Sequence, residues 1–144
     1  MKRIVVLPWA VPKKNSRAIN THTGRSFPNK RYRAWHSAAV KSLQLQQATG
    51  LSLGAVRPVA RFFAPDRRTR DLTNVYQSVE DTFNDVQVWL DDNYFVQDCF
   101  FPIFMGVDKE NPRIVIELIY GGDDKEFLDA VREALEDKRL RGAK

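Results

Sequence analysis

Short apolar blocks alternate with amphipathic stretches along this chain. Residues 3–7 (RIVVL) form a β-branched run that Pro8 stops, which predicts a strand. Residues 12–28 are polar and carry Lys13, Lys14, Asn15, Arg17 and Arg25, which predicts a long loop; in compact domains such loops commonly carry function. From Asn29 onward, Tyr32, Trp35, Ala39, Leu43 and Leu45 recur at roughly helical spacing, and Gly50 is the expected C-terminal cap. Residues 57–63 (RPVARFF) read as a second strand and residues 65–70 as a basic turn. Asp71 is a good N-cap for a second helix ending near Asn84 or Asp85. Leu72, Val75, Val79 and Phe83 form its apolar stripe, with Asn74, Gln77 and Asp81 on the opposite side. Residues 88–90 are a short apolar segment leading into Asp91 and Asp92. Residues 95–105 and 113–120 read as two strands, the latter apolar on both faces for most of its length, as in a sheet covered on both sides. Asp123 or Asp124 caps a final helix with Phe127, Val131 and Leu135 one turn apart. The order β-α-β-α-β-β-α predicts an α/β (α+β) fold, with helices packed on a small mixed β-sheet, in a single domain over residues 1–144.

Composition narrows the function classes. With 43% hydrophobic and 28% charged residues, the chain is not a disordered segment, a fibre or a coiled-coil rod. A single cysteine, Cys99, excludes an internal disulfide framework and a zinc site built on several thiolates. Its apolar setting (CFFPIFM) predicts a buried thiol, and Phe100, Phe101 and Phe104 beside it read as core or dimer interface. His22 and His36 share no zinc spacing; His36 reads as an ordinary helix-face residue, and His22 as a solvated loop side chain, with phosphate contact as the alternative. No GxxxxGK loop appears, and no small-molecule cofactor is expected. No apolar run is long enough to span a bilayer, and the start is too short for a secretory signal. Cytoplasmic residence without a membrane partner is the expectation. The net charge is +5 and the cations are clustered, in residues 13–33, 67–70 and 138–144. Acidic residues gather over 80–98. Basic loops beside an acidic centre suit a protein that holds phosphate and a divalent cation together.

The informative stretch is PDRRTRDLTN (65–74) followed by WLDD (89–92). Arg67, Arg68 and Arg70 bring planar donors to a strand-to-helix junction, where a helix N-terminus also favours phosphate. Asp71 offers a hard oxygen for Mg²⁺ at the same place, and Asp92, from a second loop, would complete a two-carboxylate seat. Taken singly, Asp71 is a helix cap, 67–70 a solvated turn and Asp91-Asp92 a polar turn. Their joint order lifts the functional reading.

These motifs resemble those of the RusA family of Holliday-junction resolvases, often encoded by phages and prophages, over most of the chain. LPW near the start is similar to the family's opening, as are Asn15 with Arg17 and Tyr32-Arg33-Ala34-Trp35. PDRRTRDLTN is similar to its basic turn and Asp-x-Asp-Asn motif, and WLDD with Val96 to its Asp-Asp loop. The resemblance implies a homodimeric, Mg²⁺-dependent (or Mn²⁺-dependent) endonuclease cutting four-way DNA junctions in recombination and repair, in a bacterial or phage-infected cytoplasm. It implies metal and catalytic roles for Asp71 and Asp92, a family match for Asn74, and phosphate contacts from Arg70 and the basic turn. Lys13, Lys14, Asn15 and Arg17 fall in its substrate-facing segment, with Trp9, Phe27 or Tyr32 nearby for stacking at the junction, and the basic end 138–144 reads as an extension of the DNA footprint or as a fraying end. Thr73, however, stands where the family has a metal-binding Asp, and Gln77 where it has a catalytic Lys. The site loses one negative charge and one cation. Asp91 or Asp81 is the candidate substitute ligand. The alternative is a relative that binds junctions and cuts poorly or not at all.

Overall fold

The computed structural model describes residues 2–12, 17–51, 54–89 and 96–142. Its main sheet has the strand order β1-β6-β4-β5, with β1 at Lys2–Pro8, β4 at Val56–Ala64, β5 at Phe101–Val107 and β6 at Arg113–Tyr120. β6 runs antiparallel to both β1 and β4, whereas β4 and β5 are parallel. A parallel pair needs a crossover, and α2 (Leu72–Asp85) supplies it. The fold is mixed α+β, as the alternation of patterns implies.

Two apolar layers enclose the sheet. α1 (Lys30–Leu45) and α2 cover one face, where Trp35, Leu43, Val75, Val79 and Phe83 meet Val5, Phe62, Ile114 and Ile116. α3 (Asp124–Leu140) covers the other, where Phe127, Ala130 and Ala134 meet Val59, Phe63, Ile103 and Ile119. β6 is buried on both sides, so it carries a near-continuous apolar run.

Several details depart from the sequence pattern. The polar stretch before α1 holds a short hairpin, β2 (Arg17–Ile19) with β3 (Ser26–Pro28), so the element order is β-β-β-α-β-α-β-β-α. Asn20 closes it: its side chain accepts from the His22 N–H at 2.9 Å, and its carbonyl accepts from the Gly24 N–H at 2.8 Å, with Gly24 at positive φ. α1 ends at Leu45 rather than near Gly50, and Leu45 is exposed. The Ala48 N–H bonds the Leu43 carbonyl and the Gln47 N–H bonds that of Gln44, a closure that puts Gln47 at φ 55°. Gln87 closes α2 in the same way at φ 56°. β5 begins only at Phe101, after a bend, so Cys99 is exposed instead of buried. Phe100 is exposed as well, stacked on Tyr76 with ring centroids 5.3 Å apart. In α3 the buried face is Phe127, Ala130 and Ala134, and Leu135 points outward. Among the described residues no helix is long and apolar enough to cross a membrane.

Candidate nucleic-acid and metal site

The basic turn leaves the carboxyl end of β4 and delivers the chain to α2. Its acid, Asp66, organises it. One Asp66 oxygen takes an ion pair from Arg70 Nη1 at 2.7 Å and the Arg68 backbone N–H at 3.0 Å. The Arg70 guanidinium also lies 5.6 Å from the centre of the Trp9 ring. Trp9 in turn packs edge-on against Phe62 of the core. Trp9 is therefore a platform for Arg70, and Tyr32 is buried in the core; neither is a free ring for stacking on bases. Phe27, on the hairpin, is exposed. Arg67 and Arg68 are exposed, and Arg68 comes only within 3.7 Å of Asp66.

The pairing with Arg70, reinforced by the Arg68 N–H, holds the Asp66 carboxyl down at about 2. An unfolded Asp titrates at about 3.9. The folded value is the lower one, so this contribution to stability is present above about pH 4 and is lost as the pH falls towards 2. NMR titration is expected to find Asp66 near 2 and to find it moved up towards 4 in Arg70→Gln. An Asp66 that ignores the substitution removes the pairing from the account.

Asp71 sits at the next junction as the N-cap of α2, with Oδ1 accepting the Thr73 N–H at 2.9 Å. The residue is exposed, and among the described residues Oδ2 takes no hydrogen bond. Thr73 and Gln77 are exposed on the first turns of α2, and Asn74 is half-buried beside them. At 1.5 Å per residue, Asp81 lies about 15 Å along the axis from Asp71, so the structure does not bring this pair to one ion. Asp81 instead stands near Tyr32, whose hydroxyl is pushed up to about 12 by burial first and then by Asp81 and Asp85. Asp85 also pairs with His36 at 3.0 Å, so His36 ties α1 to α2.

Asp91, Asp92, Lys13, Lys14 and Asn15 lie outside the described residues. Arg17 opens β2. The segment before Lys13 is anchored by Ser78, whose hydroxyl donates to the Val11 carbonyl at 2.8 Å, and by Trp35, whose indole N–H donates to Pro8 at 3.1 Å. Among the described residues no group of three or more His, Cys, Asp or Glu forms a metal cluster. The donors present at Asp71, Thr73 and Asn74 are hard oxygens of the kind Mg²⁺ takes, and among the described residues Asp71 keeps one carboxylate oxygen without a hydrogen bond.

A groove of about 1070 Å³ opens beside this junction, at the carboxyl ends of the parallel strands β4 and β5. Such crevices are the usual ligand sites of sheets with parallel strands. Arg67, Arg68, Arg70 and Arg141 line it, together with Phe63 and Phe104. The role of Asp66 within the turn and the place of Arg141 at this particular groove do not follow from the sequence, where the basic end 138–144 reads only as an extension of the DNA footprint or a fraying end. Asp66 looks like one acid in a basic turn, although its spacing of four from Arg70 was a usable signal. Arg141 belongs to the wall only through the fold.

A family model described as "Endodeoxyribonuclease RusA" matches residues 8–119. No curated protein matches the chain at a significant level.

Proposed function

The chain belongs to the RusA endodeoxyribonuclease family, and from that premise we propose that it is a divalent-metal-dependent nuclease resolving four-way DNA junctions as a homodimer. The observation that carries the reading is the placement of Asp71. It is an exposed carboxylate capping α2, one residue beyond a turn of three arginines, within the matched segment. In this reading Arg67 and Arg68 hold phosphates flanking the scissile one. Arg70, fixed by Asp66 and Trp9, sets the approach of the backbone to Asp71. Asp71 and Asp92 are the carboxylates assigned to Mg²⁺ or Mn²⁺, with Asp91 as the further candidate. The chemistry such an ion would supply there is charge compensation on the phosphodiester and a more acidic water for attack. Asn74 and Gln77 offer neutral hydrogen bonds along α2. A two-fold symmetric junction needs two cuts, which suits two copies related by a two-fold axis. The setting is the cytoplasm of a bacterium or of a phage-infected host.

Thr73 and Gln77 favour a second reading, a relative that binds junctions with weakened cutting. Each replaces a charged group with a neutral one, and loss of one preorganised electrostatic group commonly costs about 10²–10³ in rate. The test is cleavage of a synthetic four-way junction with Mg²⁺ or Mn²⁺, against linear duplex and RNA competitors. Paired nicks in the junction support the nuclease. Junction binding without product, with cutting gained in Thr73→Asp/Gln77→Lys, supports the impaired relative. No preference for the junction over duplex overturns both.

A further inference from the structure

The groove beside Asp71 has a wall that the family match does not reach. The match ends at residue 119, whereas α3 and its C-cap Arg141 follow it. Arg141 Nε donates to Asp137 Oδ1 at 2.8 Å, and its guanidinium lies 5.1 Å from the centre of the Phe63 ring. The other Asp137 oxygen takes Arg61 Nη1 at 3.0 Å, and Arg61 Nη2 reaches Glu117 at 3.0 Å. A chain of ion pairs thus runs from the buried centre of the sheet to the rim of the groove and sets where Arg141 points. Among the described residues its two terminal nitrogens donate no hydrogen bond, and the residue lines the groove.

The other cations of this groove are not equivalent. Arg70 is committed to Asp66 at 2.7 Å, whereas Arg67 makes no ion pair among the described residues and Arg68 makes only a loose one. Three uncommitted or partly committed guanidiniums, two from the basic turn and one from the end of α3, therefore face one open groove. The groove extends from Arg141 to Arg70, the residue before Asp71. That form suits a polymer of phosphates passing to the carboxylate better than a lone anion. We propose that Arg141 joins Arg67 and Arg68 in gripping the sugar–phosphate backbone of a DNA strand, which makes the end of α3 part of the nucleic-acid interface. The inference rests on the nuclease reading above and extends its interface beyond the matched segment.

Fluorescence anisotropy of the full chain on a labelled four-way junction, between about 50 and 200 mM salt, tests it. Arg141→Gln is expected to weaken binding about three- to tenfold and to lower the slope of log K against log salt by about 1. Arg141→Lys should recover most of the slope. Arg132→Gln removes an exposed α3 cation outside the groove and should leave both quantities unchanged. Thermal unfolding of each variant separates a lost contact from a lost fold. Arg141→Gln with unaltered affinity and slope, or Arg132→Gln with the same loss, overturns the proposal. Cutting by the unmodified chain with an unaltered Arg141→Gln slope overturns the α3 contact and leaves the nuclease standing. A salt-dependent loss in Arg141→Gln, in a chain that cuts no junction, supports the contact and overturns the nuclease. No DNA binding by the unmodified chain overturns both.

Discussion

Asp71→Asn is expected to slow junction cleavage by about 10²–10³-fold while leaving α2 folded. The two roles of this side chain can be separated because they use different properties. As N-cap, Asp71 needs only an oxygen to accept the Thr73 N–H, which lies at 2.9 Å. Asn supplies that oxygen about equally well. As a metal-seat carboxylate it needs charge, and Asn has none. Single-turnover cleavage alongside urea unfolding therefore gives a clean contrast. Asp71→Asn should keep its unfolding midpoint and lose rate. Asp71→Ala should lose the same rate and also about 1 kcal/mol of stability through the missing cap. An Asn variant cutting at the unmodified rate would remove Asp71 from the catalytic machinery. A neutral site at Thr73 and Gln77 makes the remaining charge at Asp71 more important, so the effect belongs at the upper end of that range.

Elements with a sustained local period are legible in the chain; very short ones and features set by distant contacts are not. The start of α2 is legible because the cap Asp71 and the stripe Val75, Val79 and Phe83 agree. The hairpin is not legible because β2 and β3 have three residues each, too few for an alternating pattern to declare itself. Asn20 and Gly24, flanking its turn, were the available sign. In α3, residues spaced four apart drift around the helix, so Leu135, eight positions after Phe127, has rotated about 80° off its face. The small Ala130 and Ala134 hold the contact instead and let the helix approach the sheet. At the site, the succession of turn, acid and helix was visible in 65–74. The third wall was not, because Arg141 reaches the groove across some seventy residues through Asp137, Arg61 and Glu117. No local pattern can express that path.

The same path predicts the largest stability effect, and it depends on burial. Glu117 sits on β6 with its side chain 5% exposed, and Arg61 on β4 is 18% exposed. Arg61 is the hinge of the network: one terminal nitrogen serves Glu117 and the other Asp137, both at 3.0 Å. Lys2 is the next cation, and it reaches Glu117 only at 3.9 Å. Arg61→Leu therefore leaves a carboxylate enclosed by the sheet and α3 with, among the described residues, one distant cation. Breaking a buried pair in this way costs about 3–5 kcal/mol. Arg61→Leu/Glu117→Leu removes both charges from the same layer, beside Val59, Ile103 and Ile119, and is expected to regain most of that loss. Urea unfolding of the two single variants and the double gives the coupling directly. A single-variant loss below about 1 kcal/mol, or losses that simply add in the double, would mean that Arg61 and Glu117 act independently. In that case the route that orients Arg141 would begin at Asp137 alone. If the coupling is large, Asp137 in the double variant keeps Arg141 but has lost Arg61, so the chain is stable again while its grip on DNA is loosened. Stability and binding would then part company in one variant, as expected of a network that joins the core to the groove.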